Sequence, residues 1–188
     1  MTQTSSRPLL PYFLVPALPL FVPLVAMRFT AEVNWTVSDF VVAYVLFAGA
    51  GFAYRFATHR AVSLAYRAAA GLAVFACLSL IWVNLAVGFI GDEDNPANLL
   101  YGGVLATSAI GAVASNFAAR GMARTMFAAA TVQFLVPIVA WFIWRPNFDA
   151  SVAKIFFLNA CWAFLFVLSG LLFRHSGQPT AAPSPEHS

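Results

Sequence analysis

Charge is what this sequence has least of. Asp, Glu, Lys and Arg make up 9% of its 188 residues, whereas soluble domains carry about a quarter. That leaves too little polar surface to coat a globule in water, so the chain reads as a membrane protein. Other scarcities remove chemistries. No carboxylate occupies the centre of a long apolar run, which argues against a carboxylate proton relay. His59 and His175 fall at the ends of such runs and His187 in the tail, so the axial ligands of a membrane-embedded haem are missing. Cys77 and Cys161 are 84 residues apart, in no metal-binding spacing, and read as small buried hydrophobes. There is no Gly-rich phosphate loop and no paired nucleophile and base. Connections of about ten residues leave little surface for a hydrolytic site. The expectation is a non-enzymatic protein with no catalytic residue, metal or cofactor.

Apolar runs are abundant. Six windows lack any Asp, Glu, Lys, Arg or His: 20 residues between Arg7 and Arg28, then 15 from Phe40, 24 from Ala68, 25 from Asn95, 20 from Thr125 and 19 from Ile155. Roughly 20 residues rising 1.5 Å each cross a hydrocarbon core of about 30 Å. Five windows suffice unaided, and Arg55 can snorkel to extend the short one. The runs are continuous, without the alternation of a membrane β-barrel. The sequence therefore predicts an all-α polytopic bundle of six transmembrane helices with short loops, at about 9–28, 39–57, 67–90, 97–119, 123–144 and 151–173. They form a single domain over 1–175, and the Pro-containing tail 176–188 is expected to be disordered.

The first window holds Pro8, Pro11, Pro16, Pro19 and Pro23. Each interior proline removes a backbone hydrogen bond, so this helix is expected to be kinked and packed against others. Its single leading Arg and poor small-residue cleavage site argue against a cleaved signal peptide. Around Asp39, Ser38 or Thr36 can cap the second helix; Asn95 and Pro96 suit the N-cap and N1 of the fourth.

Alternating connections place Arg7, Arg55, Arg60, Arg67, Arg120, Arg124 and Arg174 on one side and only Arg28, Arg145 and Lys154 on the other. The Arg-rich side reads as cytoplasmic, with both termini there. The basic balance reflects insertion and anionic lipid, and no nucleic acid is implied. Glu32, Asp39, Asp92, Glu93, Asp94 and Asp149 all fall on the opposite face.

Three constellations follow. Gly103, Thr107, Gly111 and Ser115 recur every four residues as a ridge of small side chains, for packing within the chain or for a homo-oligomer seam. Asn84, Thr107, Gln133 and Asn159 place polar groups in mid-membrane. Gln133 lies four residues before Pro137, so its backbone carbonyl loses its helical donor. These groups bond between helices, or they line a neutral site. Asp92, Glu93 and Asp94, with Asn95 and Asn98, make a solvated acidic turn; hard oxygens there suit Ca²⁺ or Mg²⁺, but the spacing is not an EF-hand. With Glu32 and Asp39 they form an acidic outer surface for a partner.

Glu32-Val33-Asn34-Trp35-Thr36 with Asp39-Phe40, and the stretch from Asn84-Leu85-Ala86-Val87-Gly88-Phe89-Ile90-Gly91 through Asp92-Glu93-Asp94-Asn95-Pro96-Ala97-Asn98 to Tyr101, carry a resemblance over roughly residues 28–173. There the chain resembles an uncharacterised family of small bacterial multi-pass inner-membrane proteins. The resemblance implies that location and no activity or site. The reading is an accessory, assembly or structural subunit, in a homo-oligomer or a membrane complex, acting through helix packing and the acidic outer surface. The alternative is a small transporter or channel with a neutral polar site near Asn84, Gln133 and Asn159. A third reading is a lipid- or quinone-binding protein using the Phe residues and Trp82, Trp141 and Trp162.

Overall fold

The computed structural model describes residues 14–59, 61, 63–91, 94–144 and 150–177. Among these, all regular structure is helical, and the architecture is the all-α one expected. Six α-helices follow in order: α1 (Phe21–Phe29), α2 (Val37–Thr58), α3 (Leu64–Ala86), α4 (Tyr101–Ala114), α5 (Ala119–Trp144) and α6 (Ala150–Ser176). Val15–Leu20 and Pro96–Leu100 are 3₁₀ turns leading into α1 and α4. Five segments are long and apolar enough to cross a membrane: Val37–Thr58, Leu64–Ala86, Pro96–Ala114, Ala119–Ile143 and Ser151–Ser176. The protein is a multi-pass membrane protein. The first segment, Val15–Phe29, is apolar but shorter. Pro16 lies in the first turn of its 3₁₀ part, where an amide would have no helical partner, and Pro19 inside it removes one i→i−3 bond. Residues 9–13 of the expected first helix and 178–188 of the expected tail lie outside the described residues.

The chain divides into two compact units, Met1–Phe56 and Ala57–Ser188. In the first, α2 starts with a reciprocal cap. Asp39 Oδ2 accepts from Thr36 N at 2.7 Å and from Thr36 Oγ1 at 2.8 Å, while Asp39 N donates to Thr36 Oγ1 at 3.4 Å. Thr36 is therefore the cap, with an acid at N3. Trp35 just before the cap meets Phe40, ring centroids 5.2 Å apart and edge-on, which clamps the chain's entry angle.

In the second unit, α6 packs against α3 and α5, and α5 packs against α4. Alanines make these approaches close: Ala69, Ala73, Ala76 and Leu80 form one buried stripe of α3. Ser169 of α6 donates to the Ala69 carbonyl at 2.8 Å, and Trp162 of α6 donates to Ser79 of α3 at 3.2 Å, so the two helices run antiparallel. Phe166 and Phe173 fill the core from α6. Small residues let membrane helices gain dispersion contact where water drives nothing.

Two helices, α3 and α4, end short of the sequence expectation. α3 stops at Ala86 rather than at 90, because the amides of Val87 and Gly88 both bond the Val83 carbonyl and Gly88 turns left-handed, φ 75°. The freed stretch is held by Asn98. Its Oδ1 accepts from Phe89 N at 3.2 Å and Ile90 N at 2.9 Å, and its Nδ2 donates to the Ile90 carbonyl at 3.3 Å. Asn95 accepts from Ala97 N at 2.9 Å and caps the 3₁₀ turn. α4 ends at Ala114 rather than at 119, in a tight turn where Asn116 and Phe117 have φ of 48° and 58°. A bulky residue there is strained by roughly 1–2 kcal/mol. Tyr66 of α3 holds it, its hydroxyl donating to the Phe117 carbonyl at 2.6 Å.

Candidate functional site

Asn159 lies nine residues into α6, about 14 Å along the axis, and Gln133 lies eleven residues from the end of antiparallel α5, about 17 Å. The two amides thus reach a similar height along the antiparallel pair. They meet: Gln133 Nε2 donates to Asn159 Oδ1 at 2.9 Å. Tyr101, at the start of α4, donates its hydroxyl to the same oxygen at 2.9 Å. All three side chains are fully buried. One acceptor therefore joins α4, α5 and α6.

Donor and acceptor bookkeeping fixes the orientation of both amides. Asn159 Nδ2 donates to the Ile155 carbonyl of its own helix at 2.9 Å, so Oδ1 is the atom that faces the two donors. Gln133 must then present Nε2 to it, and its Oε1 points away with no partner. A buried acceptor left unpaired costs about 1–3 kcal/mol. The backbone carbonyl of the same residue lacks its i+4 donor, because position 137 is proline inside α5. Gln133 thus carries two acceptors that its helix does not serve.

An aromatic roof adjoins the cluster. Phe89, buried although it follows the end of α3, stands 5.0 Å from the Tyr101 ring and 4.8 Å from Trp162, the latter edge-on at 88°. Asn98 holds this position by tying down the Phe89 amide. The sequence reading missed Tyr101 and Phe89. The available signal was a tyrosine in the first turns of a capped membrane helix, whose hydroxyl needs a buried partner.

The four mid-membrane candidates therefore part company. Gln133 and Asn159 join, whereas Asn84 and Thr107 serve their own helices: Asn84 Nδ2 donates to the Leu80 carbonyl at 2.8 Å and Thr107 Oγ1 to the Gly103 carbonyl at 2.7 Å. Asn84 Oδ1 is also buried and unpartnered.

The small-residue ridge of α4 faces α5. A Cβ on Gly103 would lie 3.8 Å from Val132, and one on Gly111 would lie 2.5 Å from Thr125 Cγ2. Ser115 occupies the space above Gly121 of α5, where a Cβ would overlap it. The ridge is an intrachain seam at these positions. Of the acidic residues, Glu32, Asp39 and Asp94 are exposed, and Asp39 is engaged in the α2 cap. Glu32 and Asp39 belong to the first unit and Asp94 to the second. Asp92, Glu93 and Asp149 lie outside the described residues. Among the described residues no group of three His, Cys, Asp or Glu is placed to hold a metal ion. Cys77 is half-buried, and Cys161 is exposed on the outside of α6 rather than buried as its sequence position implied.

Chemically the cluster is neutral, and its unserved capacity at Gln133 Oε1 is for accepting hydrogen bonds. Neither a family model, nor a curated protein, nor a solved structure matches this chain.

Proposed function

We propose that this multi-pass membrane protein is a non-enzymatic accessory, assembly or structural subunit of a bacterial inner membrane, with both termini cytoplasmic. The observation that carries the reading is the closed cluster: Gln133, Asn159 and Tyr101 bond one another in full burial. The polarity of the membrane interior goes into fastening three helices together. A cohesive scaffold of this kind leaves recognition to its outer surfaces. Glu32 and Asp94 are both exposed, and in the proposed topology each belongs to a connection on the side away from the Arg-rich connections, where negative charge steers and selects a partner. The arginine asymmetry supports the orientation, and the resemblance of the Glu32-to-Phe40 and Asn84-to-Tyr101 stretches supports the bacterial location.

Solubilisation in a mild detergent tests this. The protein is expected to migrate in a stoichiometric assembly well above its 20.3 kDa, and the double variant Glu32→Lys, Asp94→Lys is expected to release it. Migration as a lone monomer in the gentlest detergents would overturn the reading. A second reading, a small channel or transporter, is favoured by the unpartnered acceptors of Asn84 and Gln133; it requires water to reach Gln133.

A further inference from the structure

We propose that one rim of the second unit holds the phosphate groups of anionic phospholipids through Arg67, Arg120, Arg124 and Arg174. A single side chain gathers three helix ends there: Tyr66 of α3 donates to the Phe117 carbonyl ahead of α5 at 2.6 Å, and its ring meets Phe173 of α6 edge-on, centroids 4.9 Å apart. Each of these contacts has an arginine beside it. Arg67 follows Tyr66, Arg174 follows Phe173, and Arg120 stands three residues after Phe117 with Arg124 one turn further on. A Cβ on Gly177, just past α6, would lie 3.6 Å from Arg120 Cγ and 3.7 Å from the Arg174 carbonyl oxygen, so these two arginines are neighbours. All four are exposed.

Charge and position select the ligand. Among the described residues of this unit the one carboxylate is that of Asp94, which precedes α4, whereas the arginines lie beyond the far end of that helix. The 14 residues of α4 alone separate the two ends by about 21 Å, more than twice the screening length of about 8 Å at physiological salt. The rim therefore keeps its positive charge. Arg67 is the fourth residue of α3, Arg120 and Arg124 are the second and sixth of α5, and Arg174 is the third from the end of α6. In membrane-spanning helices of this length such positions deliver a guanidinium to headgroup level, where it forks onto a phosphate through two parallel hydrogen bonds. Leu171, one turn inward of Arg174, and Phe75, two turns inward of Arg67, are exposed apolar surface for the acyl chains of the same lipid, which a free phosphate ion does not use. The inference rests on the membrane-spanning character alone and on neither functional reading above.

Native mass spectrometry tests it, on protein reconstituted in equal parts of phosphatidylglycerol and phosphatidylcholine and then gently delipidated in detergent. The wild-type protein is expected to retain phosphatidylglycerol in excess, and the excess to fall about fivefold for each arginine removed, in Arg174→Gln and again in the double variant Arg120→Gln, Arg174→Gln. Lys154→Gln, exposed at the opposite end of α6, is expected to leave it unchanged. An excess undiminished in the double variant would overturn the proposal, and so would an equal loss in Lys154→Gln, which would reduce the effect to net charge. Added inorganic phosphate should not displace the lipid; displacement would mean a site for the free anion and overturn the lipid assignment. If the double variant does not fold, Arg120→Lys, Arg174→Lys takes its place, since it keeps the charge and loses the fork: its excess should fall, and an unchanged one would overturn the proposal. Wild-type protein that retains both lipids in the input ratio would overturn it outright.

Discussion

Gly111→Ala is expected to destabilise the folded protein by about 1–3 kcal/mol, the usual cost of forcing a methyl group into a packed seam. The new Cβ would lie 2.5 Å from Thr125 Cγ2, 2.6 Å from Oγ1 and 3.0 Å from Cβ. Thr125 is short and β-branched, its hydroxyl is bonded to the Gly121 carbonyl at 3.1 Å, and it has little freedom to turn aside. Two controls sharpen the expectation. Thr125→Ala on the same background removes the two nearest atoms and should recover most of the loss. Gly103→Ala, one end of the same ridge, meets only Val132 at 3.8 Å and should be nearly neutral. Unfolding in mixed detergent micelles measures all three. If the ridge instead formed a seam between copies of the chain, Gly111→Ala would change the oligomeric state and leave the monomer's stability alone.

Asn159→Leu is expected to cost about 2–4 kcal/mol, because it strands two donors at once, at about 1–3 kcal/mol each when left buried. Gln133 Nε2 and the Tyr101 hydroxyl both depend on the same oxygen. Tyr101→Phe removes one donor and strands nothing, since Asn159 keeps its bond from Gln133; its cost should stay near the ~0.6 kcal/mol typical of a hydrogen bond between membrane helices. The pair should be strongly non-additive. Once Asn159 is gone, Tyr101→Phe deletes an unpaired hydroxyl and is expected to be neutral or stabilising. A double-mutant cycle in the same micelle assay reads the coupling, and simple additivity would mean that the three side chains do not share one acceptor.

The helical class was legible because hydrocarbon permits few alternatives: a long uncharged run must satisfy its own backbone, so counting uncharged residues finds helices. The same count misplaced their ends. The run from Asn95 stays free of charge to Ala119, so nothing in composition marks the turn at Asn116 and Phe117. That turn holds its left-handed backbone through Tyr66, some fifty residues earlier, a tertiary bond that no local pattern encodes. Gly88 was a visible stop signal inside a run that hydropathy carried on to residue 90. In the first window the prolines were legible as trouble for an α-helix, and the 3₁₀ winding of Val15–Leu20 is the form it takes.

The site was half legible for a related reason. Height along a helix follows from residue number, and the bond between Gln133 and Asn159 joins two side chains at similar heights on antiparallel helices. Facing depends on helix rotation, which four nearly all-apolar helices do not encode in their polarity. Asn84 and Thr107 therefore looked equivalent to Gln133 and Asn159 but turn to their own carbonyls. The ridge of α4 was the exception, since a four-residue repeat of small side chains defines a face directly, and that face meets α5.

Thiol labelling at position 133 separates a closed scaffold from a water-filled path. In a background of Cys77→Ala and Cys161→Ala, Gln133→Cys in sealed vesicles of either orientation should resist a membrane-impermeant maleimide, while Asp94→Cys, exposed in the structure, reacts readily in the orientation that turns its connection outward. Rapid modification of the cysteine at 133 from either face, in protein that remains folded, would contradict the closed cluster and with it the accessory role.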